Sequence, residues 1–192
     1  IPATGWVFSG WSDDLTGSND PESITLNGNK TVTATFTPLC YTLPTSVDPL
    51  ASGSITANPT PNCNSGTQYT HGTDVELTAV AGASYGFDHW TGDLSGSTNP
   101  QTITMTSAKS VTAVFALNAV SLTVNVTGSG SVTQNPAGPY YLNDDVELTA
   151  VPATGWHFVE WTGDLTGVDN PDTVTLDGNK TITAVFERDT VT

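Results

Sequence analysis

The chain has 192 residues, and four Lys and Arg face nineteen Asp and Glu, a formal net charge of −15. Phosphate binding needs clustered cations, so this balance argues against nucleic acid as a partner and disfavours anionic membrane surfaces. No apolar run approaches the roughly 20 residues that span a bilayer, so no membrane insertion is expected of this segment.

The first stretch, "GWVFSGWSDDLTGSNDPESITLNGNKTVTATF", returns near the end as "GWHFVEWTGDLTGVDNPDTVTLDGNKTITAVF". Residues 1–36 and 151–186 share 21 identities without a gap. A third copy, "YGFDHWTGDLSGSTNPQTITMTSAKSVTAVF", lies between them. Trp11, Trp90 and Trp161 mark the common position, at steps of 79 and 71 residues. Residues 1–39 therefore read as the second half of a unit. Cys40 and Cys63 follow; no His lies at zinc-finger spacing, so a disulfide is the better reading. Such a bridge would contribute about 3 kcal/mol in the chain-entropy model and place the protein outside the cytoplasm.

Beyond the cysteines, "DVELTAV" occurs at 74–80 and again at 145–151, so two units carry both halves. Their boundaries are 40–118 and 119–188, with 189–192 beginning the first strand of a further unit at Val191 and Thr192. The middle unit is eight residues longer, and the excess falls around the cysteines. Within each unit, runs such as "VELTAV", "TITMT", "SVTAVF" and "LTVNV" alternate apolar and polar, the period of half-buried strands. Val75, Leu77 and Ala79 should face inward, as should Val111, Ala113 and Phe115. No helical periodicity of any length is present. "LNGNKT" and "LDGNKT" place Asn-Gly or Asp-Gly between alternating runs, which predicts a tight β-hairpin. Lys30, Lys109 and Lys180 fall just after that turn, on an expected exposed position. The fold class expected is all-β: tandem small β-sandwich-like or β-grasp-like modules of about six short strands, in an elongated array.

Units this small have marginal cores that large aromatics must carry. Trp11, Phe36, Trp90, Phe115, Trp161 and Phe186 are the expected core aromatics. Trp6, Tyr85 and Trp156 share one repeat position and have two readings, core packing or an exposed platform for stacking sugars. Asp14, Asp93 and Asp164 recur in W-[ST]-[GD]-D-L-[ST]-G. An Asp in such a turn accepts backbone N–H bonds; the functional alternative is calcium, which takes six to eight oxygens, with Asp20 and Asp169 as further carboxylates. No other cofactor is expected. His71, His89 and His157 share no repeat position, and no nucleophile elbow, Cys-His set or phosphate-binding glycine loop is present.

The G-[YW]-x-F-x-x-W-[ST]-G-D core, followed by "DGNKT" and "VTAxF", resembles the divergent internalin B-repeat family of bacterial surface proteins. The resemblance covers nearly the whole chain. It implies tandem, extracellular, noncatalytic modules of stalks, spacers or adhesins, and no catalytic residues. The expected partners are copies of the chain itself or neighbouring repeats of the same array, with surface glycans as the alternative. The middle unit departs from the pattern at Ser107 and Ala108, and the first has Asp13 where Gly is usual.

Overall fold

The computed structural model describes residues 1–190, so the strand expected at Val191 and Thr192 lies outside the described residues. Among those residues the chain is all-β, without helix. Contacts divide it into two compact units, one of residues 1–82 with 87–115 and one of residues 83–86 with 116 onward. Residues 1–39 fold as an antiparallel pair, β1 (Trp6–Asp13) with β2 (Val32–Pro38).

The middle repeat follows as β3 (Cys40–Tyr41), β4 (Thr45–Asp48), β5 (Gly53–Asn58), β6 (Tyr69–Thr70), β7 (Asp74–Ala81), β8 (Tyr85–Gly92), β9 (Gln101–Thr104) and β10 (Val111–Leu117). The last repeats the series as β11 (Ala119–Val120), β12 (Leu122–Thr127), β13 (Gly130–Asn135), β14 (Tyr140–Tyr141), β15 (Asp145–Pro152), β16 (Trp156–Gly163), β17 (Asp172–Thr175) and β18 (Lys180–Arg188). Each thus has six strands of four residues or more and two of only two residues.

Two three-stranded sheets enclose the core of each complete repeat. In the last they are β13-β15-β17, which is antiparallel, and β12-β18-β16, in which β12 runs parallel to β18. Alternation along β15 and β18 sends Val146, Leu148 and Ala150 from one sheet, and Ile182, Ala184 and Phe186 from the other, into a single cluster closed by Trp161, Val174 and Leu176. The middle repeat buries Val75, Leu77, Ala79, Val111, Ala113 and Phe115 in the same way. The extra residues of the middle repeat lie mainly in the 59–68 connection between β5 and β6, where the last repeat has only 136–139. The Cys40–Cys63 disulfide ties this insertion to β3.

The Asn-Gly segments do not form the hairpin expected of them. β17 pairs with β15, whereas β18 pairs with β12 and β16, so "LDGNKT" carries the chain from one sheet to the other. Leu176, at 0% exposure, anchors the crossing: its N–H donates to Asp144 O and its carbonyl accepts from Asn143 N–H. "TSAKS" makes the same crossing in the middle repeat with Met105 as the buried anchor. An apolar plug, rather than positive φ at the turn, is what the connection requires. Lys109 and Lys180 are accordingly half-buried rather than free, their side chains 19% exposed against Asp93 and Asp177.

Candidate functional site

The W-[ST]-[GD]-D-L-[ST]-G turn recurs with one geometry in all three copies. Each Trp sits on an edge of its sheet and its indole N–H donates to the carbonyl eight residues on: Trp11 to Asn19 at 2.9 Å, Trp90 to Thr98 and Trp161 to Asp169 at 2.8 Å. The Trp backbone N–H donates to the Gly six residues on, Gly17, Gly96 or Gly167, which closes the turn. A Phe three residues earlier packs against each indole at 5.0 Å, for Phe8, Phe87 and Phe158. It meets the final-strand Phe edge-on at 5.8 Å for Phe36 and 5.9 Å for Phe115 and Phe186. A buried indole keeps its donor satisfied this way while contributing a large apolar area.

The motif carboxylates are engaged with backbone. Asp14 accepts from Thr31 N–H at 2.8 Å, Asp93 from Ser110 at 2.7 Å and Asp164 from Thr181 at 2.6 Å. Each Asp backbone N–H returns a bond to the carbonyl of that same residue. Each therefore stitches the turn to the start of the final strand. The Thr31 N–H, then the Lys30 ammonium at 3.2 Å, hold the Asp14 carboxyl below the usual carboxylate range. The Lys180 ammonium does the same for Asp177, and that carboxylate in turn raises Lys180. Asp20 and Asp169 stand exposed in the loops after the Trp. Among the described residues no three His, Cys, Asp or Glu side chains gather in a group that could hold a metal ion.

The six core aromatics divide in two. Trp90, Phe115, Trp161 and Phe186 are 0–3% exposed. Trp11 is only half-buried and Phe36 is 37% exposed, a correction to the expectation that both are enclosed. Gly53 lies against the Phe115 ring and Gly130 against that of Phe186; residues 1–39 hold no counterpart of the strands that begin at these glycines. At the aromatic position with two readings, Trp6 is 48% exposed, while Tyr85 and Trp156 are half-buried and Trp156 packs on the core of its repeat. His89 and His157 bond Asp88 and Asp189 at 3.0 Å on the surface, and the His71 ring packs against Gly5 and Tyr41.

One recurring device was not singled out in the sequence. The Asn170 side chain extends the β15-β17 ladder past the end of β17: its amide donates to Ala150 O at 2.8 Å and its oxygen accepts from Ala150 N–H at 2.8 Å. Asn99 does the same for Ala79. The Asn-Pro dipeptide that recurs nine and ten positions after the motif Trp was the available signal. The first copy has Asp20 there, which can accept but not donate.

Compared with known proteins, the chain matches one family model in three stretches, residues 1–39, 43–119 and 120–190; its description is the divergent InlB B-repeat domain. No curated protein and no solved structure matches.

Proposed function

The chain belongs to the divergent InlB B-repeat family, and on that premise we propose that it is a noncatalytic structural repeat module of an extracellular bacterial surface stalk or filament. The observation that carries the reading is the threefold recurrence of one Trp-centred turn whose polar groups bond the chain's own backbone. Side chains used in this way hold strands together and are not presented to a substrate. The disulfide fits an oxidising, extracellular setting.

Repeat arrays gain stability from neighbours, and residues 1–39 display what a neighbour would cover. Leu26, Val32 and Phe36 are 76%, 38% and 37% exposed, while their counterparts Leu176, Ile182 and Phe186 are at most 2% exposed. The strands that would cover them are those of the same repeat pattern, supplied by preceding chain or head to tail by a neighbouring copy.

Electron microscopy of the native material, paired with intact mass, tests this. Regular fibres of a chain near 20 kDa would mean completion by neighbouring copies, and a much heavier chain would mean a tandem stalk. A monodisperse globular particle of the small mass would refute both. A carbohydrate-binding adhesin module is the second reading, favoured by the exposure of Trp6. It requires a saturable change in tryptophan fluorescence on titration with surface glycans, removed by Trp6→Ala.

A further inference from the structure

The first long strand and the final strand of the last repeat are neighbours and run parallel, in register from Leu122 with Lys180 to Thr127 with Val185. This order has a mechanical consequence. Tension along the chain draws β12 toward its N-terminal end and β18 toward its C-terminal end. In a parallel pair these pulls are opposite and lie along the strand axes, so the paired residues share the load in shear and their hydrogen bonds must give way together. Strands pulled apart from one shared end would instead open one bond at a time.

β18 is also anchored sideways. It is the central strand of its sheet, and its inward Ile182, Ala184 and Phe186 are at most 2% exposed. The Phe186 ring is lodged against Gly130 of the opposite sheet. Sliding β18 therefore drags an aromatic ring through a close-packed core, a motion that close packing resists.

The middle repeat holds the same parallel pair, β4 with β10, over a shorter register from Thr45 with Val111 to Asp48 with Val114. There the disulfide alters the path of the load. β4 and β5 both lie inside the loop that Cys40 and Cys63 close. Tension arriving at Cys40 crosses directly to Cys63 and never passes through β4.

We propose that the parallel pair of β12 and β18 is the force clamp of the last repeat, and that in the middle repeat the disulfide takes the corresponding pair, β4 and β10, out of the load path. The biological purpose of such a device rests on the structural-module reading above, but its test does not. Forced unfolding reports the unfolding rate along the pulled direction, so the experiment is single-molecule stretching of the whole chain between terminal handles.

For the last repeat, moving the N-terminal handle to Thr127→Cys pulls β12 and β18 from one shared end. The described residues hold no free cysteine to compete for the attachment. The expected result is a several-fold lower rupture force than with terminal handles, and equal forces would overturn the clamp. For the middle repeat, Cys40→Ser with Cys63→Ser should lengthen its extension step by about 80 Å, as residues 41–62 join at about 3.5 Å each. It should also shift that repeat's rupture force while leaving the last repeat's event unchanged. An unaltered middle force would overturn the load-path claim; if the variant misfolds, the disulfide-reduced wild-type chain gives the same comparison. Failure to find fibres or a heavy native chain would sink the stalk reading and leave these forces as measured.

Discussion

Replacing Asn170 with Asp changes one atom of the clamp on β15 and should cost the last repeat about 2 kcal/mol. The Asn170 amide donates to Ala150 O, and Ala150 N–H donates back to the side-chain oxygen, both at 2.8 Å. Ala150 is 3% exposed, so water cannot easily replace a lost partner. The introduced carboxylate keeps the second bond but loses the first, and sets an anionic oxygen against the Ala150 carbonyl. A lost bond of about 1 kcal/mol and an unpartnered carbonyl of about 1–3 kcal/mol, offset by the stronger bond to a charged acceptor, leave about 2 kcal/mol. For a domain of this size that lowers the melting temperature by about 8–16 °C.

Acid supplies the diagnostic. The repulsion raises the introduced carboxyl above its unfolded pKa, so the penalty is full at neutral pH and fades as pH falls through the raised value. Once protonated, the acid can donate to Ala150 O as the amide did. Calorimetry at neutral and mildly acidic pH should show a deficit that shrinks on acidification, whereas Asn170→Ala should show one that does not. Wild-type melting of Asn170→Asp at neutral pH, or a deficit indifferent to acid, would refute the reasoning.

Gly130→Ala should destabilise the last repeat by about 1–3 kcal/mol, because the added methyl meets the Phe186 ring, while Gly178→Ala, with open space around it, should be near neutral in the same melts. Leu176→Ala, at a fully buried position, should cost about 2–5 kcal/mol in urea titration, against a small effect for Leu26→Ala at the matching exposed position. Asp14 and Asp177 have lowered carboxyls, so their contributions are present above the unfolded carboxylate pKa and are lost as pH falls through the lowered values. Lys180 is raised, so its contribution is present below the unfolded lysine pKa and lost as pH rises through the raised value. Carboxyl-carbon NMR titration should place Asp177 below the usual carboxylate range, and Lys180→Met should raise it toward that range.

The sequence determined what is local or repeated. Period-two alternation fixed which face of β7 and β15 is apolar, because successive side chains of a strand point to opposite sides; Val75, Leu77 and Ala79 are inward as the pattern requires. Identity between distant segments fixed the repeats, and the isolated pair of cysteines pointed to their bridge. The roles of the Asn-Gly turn and of Asn170 were decided by tertiary structure. An Asn-Gly between two alternating runs reads as a hairpin only if the runs pair, and here Leu176 enters the core and delivers the next strand to the opposite sheet. The parallel pairing of Leu122 with Lys180 joins residues 58 positions apart. No local propensity encodes such a neighbour. It follows from burying both apolar faces in one core, which brings the first and last strands of the repeat side by side.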